Sequence, residues 1–493
     1  MPEFVFLWTD IALFLLVAAV CGYAWKVARS TTLRATWGNV ARNAPAMSSA
    51  VVLLAFVVVG LLDSIHYRPQ LPPVPGAAPD APPIYAPAVQ SALDALLSGT
   101  VLTRPEKTYS SPLAARQFTK ETELIDGHPV RDFPRLRSGG AHLENPEIER
   151  RADVWRRLLA GLSGGAVVAL LGALIPGWGL RRVHGGYVQA LRDVATGHTE
   201  LPWRAMWVTY ALLCLFIGIV AGLASGYHVF GTDRVGNDVL WQALKSIRTA
   251  LVIGSLTTVA MLPPAIGFGL AAGYFKGKVD DGIQYIYTTL TSIPGVLLVA
   301  ACALMMQVYI DTHPDLFPTS AARADLRLFL LCMILGLTGW SGLCRLLRAE
   351  TLKLRELEYV QAARAFGVSH WRIMSRHLLP NVMHIVLITV VLEFSGLVLY
   401  EAVLSYLGIG VDPGMNSFGS MIDAARLEMS RDPMVWWNLL TAFVFMLALV
   451  LAANLFADAV REAFDPRARR YRPVTWLKKA IGTTEQNRTG GAR

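Results

Sequence analysis

Long apolar runs alternate with short polar connections along almost the whole chain. A helix that crosses a bilayer needs about 20 mostly apolar residues. Nine segments reach or approach that length: 5–24, 47–64, 158–177, 206–224, 249–274, 289–310, 327–345, 383–407 and 436–460. The pattern predicts an all-α fold, a polytopic transmembrane helical bundle of about nine spans. Segment 47–64 is short, and Pro294 interrupts 289–310. Pro263-Pro264 inside 249–274 predicts a kink or break there, because proline removes a backbone donor and its ring crowds the preceding turn. Such breaks are tolerated where neighbouring helices or a cavity satisfy the freed backbone groups.

The polar connections differ in charge. Residues 26–46 hold Lys26, Arg29, Arg34 and Arg42 and no acid. Residues 346–382 hold Arg348, Lys353, Arg355, Arg364, Arg372 and Arg376, and the tail holds Arg467, Arg469, Arg470, Arg472, Lys478 and Lys479. Short loops rich in Lys and Arg stay in the cytoplasm. An odd span count with a cytoplasmic tail then puts Met1 outside and the loop 178–205, with Arg181, Arg182 and Arg204, inside. Met1-Pro2-Glu3 lacks the basic start of a signal peptide, and 4–25 reads as a retained span. Asp10 falls near the outer end of that span, where it is expected to reach water.

The longest connection, 65–157, lands outside. Its beginning, Arg68-Pro-Gln-Leu-Pro-Pro-Val-Pro and on to Pro87, is proline-rich and linker-like. The remainder predicts a small periplasmic cap or an ordered insertion without a function of its own.

Composition agrees with lipid as the main solvent: 54% of the 493 residues are hydrophobic and 16% charged, against about 25% charged in a soluble domain. Mean hydropathy is +0.42. The formal net charge of +9 would suggest nucleic acid in a soluble protein; here it reflects the basic connections, and no nucleic-acid partner is expected. Cys21, Cys214, Cys302, Cys332 and Cys344 lie in or beside apolar runs with no C-x-x-C pair, so neither zinc nor a disulfide framework is implied. There is no internal repeat, no Walker A, H-E-x-x-H or G-x-S-x-G pattern. Gly273-Tyr-Phe-Lys-Gly-Lys lacks the phosphate-loop spacing and fits a basic helix end.

The most informative connection is Glu358-Tyr-Val-Gln-Ala-Ala-Arg-Ala-Phe-Gly-Val-Ser-His-Trp-Arg-Ile-Met-Ser-Arg-His-Leu-Leu-Pro-Asn381. Residues 353–366 suit a helix with Tyr359, Ala362, Ala363 and Phe366 on one face. Gly367 suits a left-handed turn at its end, and Ser369 suits the cap of a second helix running to Pro380. Small residues on the exposed face admit close approach of a partner, and Arg364 offers it a charge. A plain amphipathic interfacial loop is the alternative.

This stretch resembles the EAA loop of binding-protein-dependent ABC importers: Ala362, Ala363, Gly367, Leu379 and Pro380 fall on the pattern, with Gln361 in place of its Glu. A second stretch, Phe230-Gly-Thr-Asp-Arg-Val-Gly-Asn-Asp-Val-Leu, resembles the F-G-T-D-x-x-G-R-D-V-L signature of dipeptide and oligopeptide permeases, through Gly231, Thr232, Asp233, Gly236 and Asp238; Asn237 replaces its Arg. Locally it reads as a turn and an amphipathic helix on the outer membrane surface, capped by Asp233 or Asp238. Gly273–Asp280, Glu401–Val411 and Val460–Arg467 follow the family's later motifs in order. The resemblance covers roughly 229–468 and is to the second permease of the pair, the kind called DppC or OppC.

It implies a type I importer transmembrane domain at 229–468, with a coupling loop at 356–380 that docks on an ATPase. Tyr359, Gln361, Ala362, Ala363, Arg364, Gly367 and Pro380 are the expected coupling residues. The implied partners are a homologous second permease, two ABC ATPase subunits or one heterodimer, an extracytoplasmic substrate-binding protein and the lipid bilayer of the bacterial inner membrane. No catalytic residue, metal or cofactor is expected in this chain; ATP and Mg belong to the ATPase. A nickel-chelate or oligosaccharide importer is the same machine with another cargo. A membrane scaffold or enzyme using 65–157 is the rival of another class; it requires a catalytic cluster there, where only His128 and His142 stand, far apart.

The other divisions are N-terminal spans 1–64, the periplasmic insertion 65–157, additional spans and a cytoplasmic loop at 158–228, and a basic tail at 469–493. Either 206–224 or, preferably, 47–64 is the first span of the family's plan. Ionisable groups at membrane depth face a pathway or a partner. Glu393 and Glu401, eight apart, share nearly one helical face; they line a peptide's route or pair structurally.

Overall fold

The computed structural model describes residues 2–71, 84–125, 128–180, 186–197, 199–313 and 319–464. The basic tail, Arg181, Arg182 and the last residues of the Val460–Arg467 motif lie outside them. The chain is helical nearly throughout. Helices α1 (Trp8–Arg29), α2 (Thr31–Ala41) and α3 (Ala44–Asp63) lead into the insertion, which contains α4 (Ala92–Leu97). Then come α5 (Pro146–Leu180), α6 (Tyr187–Thr196), α7 (Trp203–Ala224), α8 (Val239–Phe275), α9 (Lys278–Ser292), α10 (Gly295–Thr312), α11 (Ser320–Gly339) and α12 (Ser341–Leu354). The chain closes with α13 (Glu358–Ala365), α14 (His370–Ile373), α15 (Leu379–Tyr406), α16 (Phe418–Glu428) and α17 (Trp437–Phe464). Among the described residues nine helical stretches are long and apolar enough to cross a membrane, one at each predicted segment, and the chain is a multi-pass membrane protein.

Three boundaries differ from expectation. Pro263 and Pro264 lie inside α8 without ending it; α8 packs along α11, α12 and α15, and such neighbours let a helix continue past the missing donors. The family-signature helix is the first part of α8, not a separate amphipathic helix on the surface: Val239, Leu240, Ala243, Ile247 and Arg248 are all buried. Segment 289–310 is divided, because residues 289–292 close the amphipathic α9 and Pro294 stands at the N-terminus of α10.

The two ends of the bundle are built differently. At one end the chain start and the insertion form a small antiparallel sheet, β1 (Glu3–Val5), β2 (His66–Arg68) and β3 (Gln90–Ser91), with Glu3 opposite Arg68 and His66 opposite Ser91. A hairpin of β4 (Glu121–Ile125) and β5 (His128–Asp132) follows. Residues 84–125 and 128–145 belong to a cap seated on the ends of α5, α8 and α17. The opposite end carries α13 and α14.

The extra helices are tied to the rest in two ways. Helices α5 and α7 pair through facing glycines: a Cβ on Gly161 would stand 2.3 Å from the Gly218 carbonyl oxygen, and one on Gly165 2.5 Å from that of Cys214. Small residues of this kind let backbones approach within a membrane. Helix α3 lies against α7, α8 and α17 and so joins that pair to the rest; a Cβ on Gly60 would meet Leu251 at 2.5 Å.

Helix α1 is held by charge. Asp10 does not reach water. It is 1% exposed and accepts from the Arg248 guanidinium at 2.5 Å, while His66 Nδ1 meets its other oxygen at 2.7 Å. Arg248 also contacts Asp325 at 3.2 Å and donates to Thr9 Oγ1 at 2.7 Å. The Thr9 hydroxyl and amide both donate to Asp325. One cation and two carboxylates thus join α1, α8 and α11. Charges at membrane depth are tolerated when paired in this way.

Candidate functional site

At the loop end, α13 breaks off cleanly and turns back. Gly367 has φ +71°, the left-handed conformation that the sequence predicted for it. The Val368 amide donates to the Ala363 carbonyl at 3.1 Å and the Gly367 amide to that of Arg364 at 3.1 Å. These two bonds are those of a Schellman motif, which satisfies the last carbonyls of the helix. Val360, Ile373 and Leu378 are the buried anchors; they insert among Tyr274, Leu343 and Leu347, beside which Ala363 and Val368 also pack.

The opposite face is open. Phe366 is 87% exposed and Trp371 76%, and Gln361, Ala362 and Arg364 are exposed beside them. The predicted apolar face therefore divides: Ala363 leans on the bundle, Phe366 points away, and Val360 is the anchor the pattern missed. Tyr359 is half-exposed and its Oη accepts from Asn381 at 2.9 Å.

Ser369 stands at the N-cap of α14 but makes no side-chain cap bond. The second helix does not stop at Pro380. A π-helical turn, Met374–Leu378, carries it into α15, whose first turn holds Pro380. The wider turn lies just where proline's missing N–H and bulky ring disrupt regular α-helical bonding. The segment is consequently continuous with a membrane span.

It is also braced from behind. Lys276, which has φ +58° at the basic end of α8, pairs with Glu356 at 3.0 Å. Arg355 donates to the Tyr274 carbonyl at 2.6 Å, and Tyr274 Oη meets His370 Nδ1 at 2.8 Å. Arg348 grips Asp280 of α9 with two bonds, 2.6 and 2.7 Å. Asp280's carboxyl is held low by the hydrogen-bonded Arg348 guanidinium.

At the cap end, the Gly-Thr-Asp signature is enclosed by the cap. Thr232 Oγ1 accepts from the Ser110 amide at 2.6 Å and donates to the Thr108 carbonyl at 2.8 Å. Gly231 (φ +73°) lies under Ser110, and Gly236 (φ +87°) lies under Glu106, whose carbonyl oxygen would be 2.0 Å from any Cβ. Trp437 Nε1 donates to the Thr232 carbonyl at 3.0 Å, and its ring meets Phe118 edge-on at 4.9 Å. Both candidate capping acids are used, for different purposes. Asp238 caps α8 by accepting from the Trp241 amide at 3.0 Å, and Asp233 folds the turn by accepting from the Val235 and Asn237 amides.

Asp238 also accepts from His228 Nδ1 at 2.7 Å, and His228 Nε2 faces Glu106 at 3.3 Å. All three side chains are fully buried. Glu106 further accepts from the amides of Arg137, Ser138 and Gly139. Burial opposes a charge on His228, but the Asp238 and Glu106 carboxylates outweigh it and raise its pKa to about 9. Burial likewise opposes charge on Glu106, yet His228 and the three amides hold it down at about 2. An acid–imidazole–acid arrangement could serve catalysis if a substrate reached it; sealed at zero exposure, it is a structural latch. His142, the other histidine considered for a cap reaction, meets Asp153 at 2.6 Å, which also binds Arg157 and Tyr227. The side chain of His128 lies outside the described residues.

Glu393 and Glu401 do not share an environment. Glu401 is 1% exposed and accepts from Ser405 at 2.6 Å, whereas Glu393 is exposed on the surface of α15. Sequence reasoning missed Glu106, His228, Thr9, Arg248 and Asp325. The available signal was weak: His228 stands alone in its stretch, but Glu106, Thr9 and Asp325 each have charged neighbours in sequence.

Comparison with known proteins places this architecture. Residues 265–470 match the family described as binding-protein-dependent transport system inner membrane component. The chain is 29% identical over 241 residues to the dipeptide transport system permease protein DppC of Lactococcus lactis, covering 49% of this chain and 64% of that one, a little under two thirds of its length. It is 30% identical over 244 residues to the oligopeptide permease OppC of Haemophilus influenzae, covering 50% and 72%. The OppC of Mycobacterium tuberculosis is 32% identical over 245 residues, covering 50% and 78%. The chain belongs to the family of binding-protein-dependent transport system inner membrane components, and its relatives are transport permease subunits.

Proposed function

We propose that this chain is one permease subunit of an ATP-driven importer that moves peptides across the bacterial inner membrane. One observation carries the reading: α13 and α14 present an exposed face at the loop end while their buried face is fused to the bundle core. That segment falls within the matched family region, and the named relatives are dipeptide and oligopeptide permeases. In this reading Phe366, Trp371, Ala362 and Arg364 meet an ABC ATPase on the cytoplasmic side. Because the segment continues through the π turn into α15, a push on α13 tilts a membrane span. The ATPases bind ATP and Mg, and a second permease completes the pathway. Glu393 on the free face of α15 borders that pathway, and Glu401 holds the α15–α16 corner through Ser405. Met1 and the cap are extracytoplasmic, where a solute receptor delivers cargo. Helix α3, against α8 and α17, is the first span of the family's plan, and α5 and α7 are an inserted pair.

The test is co-purification. The full chain, expressed with its ATPase, should retain it in mild detergent, and Ala362→Trp should release it while leaving the chain folded and membrane-inserted. Uptake of labelled dipeptide should fall below a tenth of the wild-type rate in the same variant. Unchanged ATPase retention and uptake would refute the coupling role.

A further inference from the structure

The cap contains a cleft that the transport reading does not use. Its volume is about 1090 Å³, at the upper end of ligand-site sizes. It opens between the β4–β5 hairpin, the start of α5 and the loop before α17. Five bases line it, Arg116, Lys120, Arg131, Arg150 and Arg151, against two acids, Glu147 and Asp432.

This concentration is not a property of the segment. Residues 65–157 contain twelve Lys and Arg and eleven Asp and Glu. The fold separates them. Glu106 is taken by His228, Asp94 by Lys245, and Asp153 by His142 and Arg157. Three of the acids are thus spent in internal latches, and five of the bases collect at the cleft. Among the described residues Lys120, Arg131, Arg150 and Arg151 have no ion-pair partner, and Arg116 Nε is a buried donor without an acceptor.

We propose that this cleft binds a peptide segment carrying two or more carboxylates. Arg116 already shows the recognition: its guanidinium holds two carboxylates at once, one nitrogen on Asp132 at 3.0 Å and the other on Glu147 at 3.1 Å. Phe118 and Phe133 supply apolar wall, with Lys120 over the Phe133 ring at 5.3 Å. A cleft of net positive sign also steers anions towards itself. The volume accommodates several residues rather than a single ion. The segment comes either from a free acidic peptide or from an acidic stretch of an extracytoplasmic protein.

The experiment uses the purified full chain in nanodiscs of neutral lipid. A fluorescent Glu-rich hexapeptide should bind, and a Ser/Gly hexapeptide should not. The combined variant Lys120→Gln, Arg150→Gln, Arg151→Gln should bind the acidic peptide about tenfold more weakly or worse, and salt should weaken the wild type towards it. Failure of the wild type to bind, equal binding by the variant, or displacement of the peptide by anionic-lipid vesicles at equal charge would overturn the proposal. This arm needs no transport, so it stands or falls separately from the importer reading. Uptake then identifies the source: loss confined to acidic cargo marks free peptide, and equal loss for all cargo marks a docking protein.

Discussion

The two halves of the chain spend their charged and polar residues in opposite ways. In the C-terminal half, α13 and α14 turn aromatic, small and cationic side chains outward to an open face. In the N-terminal half and the cap, the acids at the junction with the family domain point inward: Asp10 to Arg248, Glu106 to His228, Asp94 to Lys245. The added half is not appended to the family domain but bolted to it, and Asp238, Lys245 and Arg248, one in each bolt, belong to α8 or its cap. A region that transmits force must leave its contacts unfilled for a partner, whereas a region that holds a bundle together must fill them.

The largest effect should come from breaking the bolt at α1. Arg248→Ala leaves Asp10 and Asp325 buried without their cation, a loss of about 3–5 kcal/mol for a broken buried pair. Denaturation in detergent should show it, and a double-mutant cycle with Asp10→Ala should show strong coupling. Independent, additive losses would mean that α1 is only loosely attached.

His228→Phe should come next, at about 3 kcal/mol, because the buried Glu106 and Asp238 carboxylates then lose the cation between them and keep only their backbone donors. Limited proteolysis should cut within 98–145 far faster than in the wild type, while cutting at 356–380 stays the same. Acceleration at both sites would erase the distinction between the halves.

The inserted pair offers a third break. Gly161→Val drives a side chain into the Gly218 backbone and should cost about 1–3 kcal/mol as overpacking does. Crosslinking between cysteines placed on α5 and α7 should fall, and crosslinking between α3 and α8 should not change.

Protonation probes the same latch more gently. Because the pKa of His228 is raised from 6.5 to about 9, its contribution is complete below about 6.5 and is lost as pH rises through about 9. Glu106, lowered from 4.5 to about 2, contributes above about 4.5 and loses that contribution as pH falls through about 2. Hydrogen exchange in the cap should be slowest between about pH 4.5 and 6.5, after correction for intrinsic rates. A pH-independent cap would show that the histidine is not charged.

The smallest stability change belongs to Gly367→Ala, about 1 kcal/mol for placing a Cβ at positive φ. It should loosen α13 alone, read as faster exchange at Val360, with cap exchange unchanged.

Legibility followed the same division. All nine spans could be read, since length and hydropathy define them locally. The left-handed Gly367 was readable because a helix end has a short-range signature. What stayed hidden depended on partners distant in sequence. Asp10 was expected to reach water because nothing near it names Arg248, 238 positions away. Pro263 and Pro264 suggested a break because a single helix does not reveal the neighbours that support it. The reading of the insertion left a small cap and an ordered insertion without a function side by side, since Glu106 acquires its meaning only beside His228. Glu393 and Glu401 shared a face by periodicity, yet α16 covers only the second.

The central claim is that the open segment and the latched cap lie on opposite sides of the membrane, with the open side meeting the ATPase. Thiol accessibility tests it most directly. In a full chain with its five native cysteines replaced, Lys120→Cys and Ala362→Cys would each be treated with an impermeant maleimide in intact spheroplasts and again after permeabilisation. The account predicts that Lys120→Cys labels in intact spheroplasts, and that Ala362→Cys labels only after permeabilisation and is protected by co-expressed ATPase. Labelling of Ala362→Cys from outside, or labelling that the ATPase leaves unchanged, would contradict it.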